Sequence, residues 1–278
     1  MIDTNNSKSG YAEVDGVRLY YEIEGEGPDL VFVHAGCADR RMWGTQFSAF
    51  ANHFRVILYD MRGYGKSTLV KEPFSNRQDL NQLLDFLNIP KTHFVACSMG
   101  SYAVLDFALE HPEKIVSLTL VSPSISGYQY DGPPPRLVMD MIAARTSGEL
   151  ERAAELQAQI WGDGFKRSSS EANQQVHELI RQMSLDALTI QADIIRETAF
   201  LIEEPLNPPA IDRLNQIIVP TLTIAGEMDD DTVLSIADLL TMRINGAKKA
   251  IIHGTAHLPN MEKPEEFNQI VLEFLGKI

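Results

Sequence analysis

Short apolar runs recur along the chain, and each stops at a polar or small residue. Residues 30–33 end at His34-Ala35-Gly36, 56–59 at Asp60, and 94–96 just before Ser98. Residues 116–121 end at Ser122-Pro123, 221–225 at Gly226-Glu227, and 250–252 at His253-Gly254. A run that is apolar at odd and even positions alike has both faces covered, so these predict interior strands under helices. Residues 11–24 predict a β-hairpin turning at Asp15-Gly16.

Helical spacing fills the gaps. Leu80, Leu83, Leu84 and Leu87 mark one helix; Ala103, Phe107 and Ala108 mark another, closed by His111-Pro112. From Glu262 onward Phe267, Ile270, Val271, Phe274 and Leu275 share one stripe. Strands alternating with helices predict an α/β fold, a mostly parallel twisted sheet with helices on both faces. Residues 124–204 break the alternation. They hold helical patterns and no convincing strand, among them Val176, Leu179, Ile180 and Met183 on one stripe and a capping box at Ser168 and Glu171 just before it. Pro133-Pro134-Pro135 opens this stretch and Pro205 with Pro208-Pro209 closes it. Some eighty residues are too many for an ordinary loop, so an inserted helical cap over the strand ends is expected.

Composition narrows the classes. With 278 residues, 44% hydrophobic and 22% charged, the chain reads as ordinary globular protein. A net charge of −14 repels phosphates, which disfavours nucleic acid and anionic membranes as partners. Cys37 and Cys97 form neither a disulfide framework nor a metal-ligand spacing. Met1 to Gly10 lacks the apolar stretch of a signal peptide, and no run reaches the length of a membrane span. The expectation is a cytoplasmic protein with no cofactor and no metal.

In an open parallel sheet, ligands bind beyond the carboxyl ends of the strands, where His34, Gly36, Asp60, Ser98, Asp229 and His257 fall. Ser98 sits where a strand breaks abruptly into a helix. That bend exposes its hydroxyl at the positive end of a helix dipole, where an acyl-transfer nucleophile is placed; a helix cap is the plainer reading. A hydroxyl is a weak nucleophile at neutral pH and needs a base beside it.

Ala96-Cys97-Ser98-Met99-Gly100 resembles the Gly-x-Ser-x-Gly elbow of the α/β-hydrolase superfamily, with alanine for the first glycine. Asp60-Met61-Arg62-Gly63-Tyr64-Gly65-Lys66-Ser67 is similar to that family's Asp-x-Arg-Gly-x-Gly-x-Ser loop. The resemblance covers nearly the whole chain and leans toward the enol-lactonases. It implies a core of residues 1–124 and 205–278 with a cap over 125–204. It implies a triad of Ser98 as nucleophile, His257 as base and Asp229 as the acid that orients the histidine, in the family's chain order. Asp231 is the alternative acid, or a cap for the helix that follows. Met99 and Gly36, the latter in His34-Ala35-Gly36, would supply the oxyanion N–H groups.

The implied activity is a serine hydrolase cleaving a small or medium carboxylic ester or lactone. The same residues would also serve a carbon–carbon hydrolase of a diketone-like substrate, or a small-molecule sensor with residual hydrolysis. Serine at position 98 argues against haloalkane dehalogenases and epoxide hydrolases, which use aspartate there. Trp161, beside Gly162 and Gly164, is a candidate substrate contact or part of the cap's own core. His34 would brace the oxyanion loop, and Asp60 and Arg62 would hydrogen-bond beneath it. Arg40 and Arg41 read as solvated surface charges, with attraction of an anionic substrate as the alternative, Cys37 and Cys97 as small buried hydrophobes, and His253 as a strand end.

Overall fold

The computed structural model describes residues 8–129 and 132–278; the N-terminal reading falls outside it for residues 1–7. The hairpin expected at the start forms as β1 (Lys8–Val14) and β2 (Val17–Glu24), antiparallel about Asp15 and Gly16. Then come β3 (Asp29–Val33), α1 (Gly44–Ala51), β4 (Arg55–Tyr59), α2 (Asn76–Phe86), β5 (Thr92–Cys97), α3 (Met99–Glu110) and β6 (Ile115–Val121). After a helical stretch, β7 (Thr221–Gly226) and β8 (Lys248–Ile252) complete one sheet in the order β1-β2-β4-β3-β5-β6-β7-β8. From β4 through β8 all pairings are parallel, while β2 joins β4 antiparallel.

The apolar runs are continuous because the two faces of each strand feed two different cores. Val31 and Val33 of β3 point to one core, with Phe94 of β5, Leu80 and Leu83 of α2 and Val104 and Phe107 of α3. Leu30 and Phe32 point to the other, with Val95 of β5, Trp43 and Phe50. The last helix supplies Phe267, Val271 and Phe274 to this second core. Each such buried side chain contributes about 1.5–3 kcal/mol relative to exposure.

Between β6 and β7 lie α4 (Arg136–Ser147), α5 (Leu150–Gln157) and α6 (Gln174–Thr198), with a π-helical turn over Ala158–Asp163. Their mutual core is small: Ala144, Ala153, Ala154, Leu188 and Ile195. The stretch is tied to the sheet end by polar bonds. Ser184 Oγ donates to the Cys37 carbonyl at 2.9 Å and Gln191 Nε2 to the Gly63 carbonyl at 3.1 Å. Arg167 pairs with Glu262 at 2.6 Å, both side chains buried.

Several local expectations need correction. Ser168 and Glu171 do hydrogen-bond, at 2.9 and 2.6 Å, but they close a turn ahead of α6, whose cap is Asn173. Leu179 is exposed while Val176, Ile180 and Met183 are buried, so the stripe is narrower than its spacing suggests. The C-terminal helix is broken at Lys263 into α8 (Pro259–Glu262), where α7 (Asp231–Arg243) precedes it, and α9 (Pro264–Leu275). Proline at 264 lacks the N–H needed to continue a helix. Arg40 is not a surface charge: it is buried, with Nε on Glu22 at 2.9 Å and Nη1 on Asp60 at 2.8 Å. Arg41 is half-buried between Asp39 and Asp186.

Candidate active site

The strand order reverses between β3 and β5. The chain leaves β3 for β4 on one side and returns to β5 on the other. A crevice opens at the carboxyl ends of such a pair. The loops after β3 and β5 therefore meet there, and they carry Gly36 and Ser98.

A single residue, Ser98, separates β5 from α3. Its backbone is left-handed, φ 52° and ψ −114°. Such conformations cost of order 1–3 kcal/mol and persist only when the surroundings enforce them. Here Ser98 N–H donates to the Val121 carbonyl at 2.9 Å, and its carbonyl accepts from Ser124 Oγ at 2.8 Å. The helix also presses on the neighbouring strand. A Cβ at Gly100 would stand 2.6 Å from the Val33 carbonyl oxygen, so only glycine fits. Ala96, which stands at the first glycine of the elbow pattern, is fully buried in β5.

His257 follows β8 and Asp229 follows β7. The imidazole Nδ1 lies 3.0 and 3.1 Å from the two carboxylate oxygens of Asp229, and both residues are buried. Asp229 Oδ1 also accepts the Asp230 N–H at 2.8 Å. Asp230, not Asp231, caps α7, accepting from Thr232 N–H at 2.8 Å. The Asp231 side chain is 90% exposed and pairs with Lys166 at 2.7 Å.

The loops bearing Asp229 and His257 are locked together. Met228 N–H donates to the Thr255 carbonyl at 2.8 Å and Glu227 N–H to the Ile252 carbonyl at 3.1 Å. Glu262, held by Arg167, accepts from Ala256 N–H at 2.8 Å. At Gly226 a Cβ would come within 2.0 Å of the Ala256 carbonyl oxygen. Gly226→Ala must therefore push the loop bearing His257 away from that bearing Asp229. The expected result is a loss of about 3 kcal/mol in unfolding free energy, read by urea denaturation, since backbone overlap cannot be relieved by a rotamer change.

Ser98, Gly36, Met99, Trp161 and His257 line one cavity of about 230 Å³. A second cavity of about 620 Å³, walled by Pro133, Pro135, Val138, Phe165 and Ile236, also reaches Ser98, Trp161 and His257. The two meet over the serine. Among the described residues the N–H groups of Gly36 and Met99 have no intramolecular acceptor, and Ser98 Oγ makes no hydrogen bond. His257 hydrogen-bonds Asp229, and among the described residues no hydrogen bond joins it to Ser98. The Trp161 ring lies 4.7 Å from the His257 ring, centroid to centroid. It is carried there by the π-helical turn, a distortion frequent at functional sites.

His34, Asp60 and Arg62 are all buried and hydrogen-bonded. His34 Nδ1 faces the Ala35 carbonyl at 2.9 Å, and its Nε2 accepts the Met61 N–H at 2.9 Å. Burial pushes its pKa down to about 4, so the ring is neutral with its proton on Nδ1. Arg62 is buried against Asp79 at 2.7 and 2.9 Å. Asp60 accepts from the Arg40 and Lys66 backbones at 3.0 and 2.9 Å, and burial raises its pKa to about 6. Cys37 and Cys97 are buried, and desolvation raises both thiols, Cys37 to about 12. His253 is 76% exposed. Sequence reading missed Arg145, buried in the wall of the smaller cavity. Its place on a helix of mixed polarity gives no signal of which way it faces.

A model of the alpha/beta hydrolase fold matches residues 28–264, and the chain belongs to that family. It is 27% identical over 267 residues to 3-oxoadipate enol-lactonase 1 of Acinetobacter baylyi, covering 95% of each chain. It is 29% identical over 279 residues to a 2-hydroxy-6-oxononadienedioate/2-hydroxy-6-oxononatrienedioate hydrolase of Paraburkholderia phymatum, covering 94% of this chain and 92% of that one. The crystal structure of the enol-lactonase from Burkholderia xenovorans LB400 superposes with a TM-score of 0.78 at 26% identity, over 96% of this chain and all of that one. No helix among the described residues is long and apolar enough to cross a membrane.

Proposed function

We propose that the protein is a serine hydrolase that cleaves a small or medium carboxylic ester or lactone through an acyl-enzyme. The carrying observation is the left-handed Ser98, its hydroxyl unspent in a cavity shared with His257, whose far nitrogen faces buried Asp229. Ser98 Oγ bonds to the substrate carbonyl carbon while His257 Nε2 takes its proton. The carbonyl oxygen becomes an oxyanion held by the Gly36 and Met99 N–H groups, each such donor supplying about 3 kcal/mol in the transition state. The C–O bond then breaks, and the imidazolium returns its proton to the leaving alkoxide. Water, deprotonated by His257, repeats the sequence and frees the acid. Asp229 stays ionised and stabilises the imidazolium.

In this reading residues 125–204 form a cap that closes the cavity and sets its shape, with Trp161 as a wall over the base. The relatives' names, an enol-lactonase and an oxo-dienedioate hydrolase, support acyl chemistry at a carbonyl. The second name keeps carbon–carbon cleavage as the runner-up, since it uses the same nucleophile and oxyanion donors. A fluorophosphonate probe tests the common core. It is expected to label wild-type protein at one site and to leave Ser98→Ala unlabelled; labelling that survives the substitution overturns the proposal. A panel of methyl esters, lactones and vinylogous 1,5-diketones then separates ester from carbon–carbon cleavage by which member turns over.

A further inference from the structure

The wall of the smaller cavity holds a buried arginine. Arg145, on α4, is 8% exposed and lines that cavity with Ser98 and His257. Among the described residues no carboxylate pairs with it. Its Nη1 meets the thioether of Met141 at 3.9 Å, its guanidinium lies over the Phe200 ring at 4.7 Å, and its Nε has no partner. Burial holds its pKa below the ordinary arginine value, against a smaller opposing pull from the Tyr64 hydroxyl. Of the cavity's other ionisable side chains, Arg62 is bonded twice to Asp79, and Glu203 accepts the Asn76 N–H at 3.1 Å, burial pushing its pKa up to about 7. Leaving a buried charge unpaired costs several kcal/mol, so a lone arginine in a cavity wall is a site awaiting an anion. Its planar fork suits a carboxylate, which it binds through two parallel N–H···O bonds.

We propose that the substrate carries a carboxylate on the part that fills this cavity, and that Arg145 is the residue that selects it. This rests on the acyl-transfer reading above and narrows it: the ester or lactone is that of a dicarboxylic acid, with one carboxyl group reacting at Ser98 and the other held by Arg145. A volume of about 230 Å³ is below the ~300–1,000 Å³ of sites for drug-sized ligands, which fits a short acid.

The test compares monomethyl glutarate with methyl pentanoate, which differ in the charge of the far end. Wild-type kcat/KM is expected to favour the hemiester by about 10- to 100-fold, the worth of a buried hydrogen-bonded charge. Arg145→Gln is expected to erase that preference, bringing the ratio of the two kcat/KM values to about one, and Arg145→Lys to restore part of it. A separate arm titrates glutarate into Ser98→Ala protein by calorimetry, with and without Arg145→Gln, and expects at least a roughly tenfold weaker Kd in the double variant. Equal turnover of the two esters by wild type overturns the carboxylate proposal and leaves the hydrolase reading standing. No turnover of any ester, with Arg145-dependent glutarate binding intact, overturns the hydrolase reading and leaves the anion site standing. Loss of both arms overturns both. Should Arg145→Gln not fold, the wild-type ester pair and Arg145→Lys still decide.

Discussion

Ser98→Ala is expected to lower kcat by about 10⁵- to 10⁶-fold, and Ser98→Gly to lower it equally while making the protein more stable by about 1 kcal/mol. The first half follows from the nucleophile's removal, because base and orienting acid act only through that oxygen. The second half follows from the backbone. With φ 52° and ψ −114°, residue 98 occupies a region where any side chain is strained by about 1–3 kcal/mol. Glycine removes that strain and forfeits roughly 0.5–1 kcal/mol of unfolded-state entropy, so the balance is a net gain. Alanine keeps a Cβ, so its melting temperature should stay near wild type. Steady-state kinetics on the best ester of the panel, with urea unfolding of the same three proteins, measure both halves. A stable and fully active Ser98→Gly variant would remove the serine from the chemistry altogether. Inactivity with lost stability in both variants would make residue 98 a folding element instead.

Much of this site was legible because a parallel sheet places its ligands at strand ends. A reader who finds the apolar runs has found the junctions at Gly36, Ser98, Asp229 and His257 as well. The runs themselves are readable because burial on both faces leaves no polar alternation, as Leu30 and Phe32 against Val31 and Val33 show. What stayed hidden depends on partners distant in sequence. Arg40 looks like a surface charge until Glu22 of β2 and Asp60 after β4 close around it. The start of α6 was misplaced because Ser168 and Glu171 satisfy the capping pattern locally without a helix behind them. Between Asp230 and Asp231 as the cap of α7, adjacent residues of one type carry no periodic signal to decide. Arg145 was invisible for the same reason that it is informative: among the described residues no carboxylate pairs with it.

Asp229→Asn is expected to reduce kcat by about 10⁴-fold with KM nearly unchanged, whereas Asp231→Asn should stay within about twofold of wild type. Asp229 Oδ1 is claimed by the Asp230 N–H at 2.8 Å. An asparagine at 229 therefore keeps its carbonyl oxygen on that donor and turns its NH₂ toward His257 Nδ1. The imidazole answers by carrying its proton on Nε2, the atom that must be bare to deprotonate Ser98. The fold is preserved and the tautomer is wrong, so binding survives while proton transfer fails. Asp231 has no route to this effect, since its side chain is 90% exposed and its partner is Lys166. The melting temperature of Asp231→Asn should match wild type, as a single exposed ion pair is worth little. The reverse pattern, an inactive Asp231→Asn beside an active Asp229→Asn, would mean that the loop after β7 rearranges on binding substrate and that the buried carboxylate facing His257 is not the one that works.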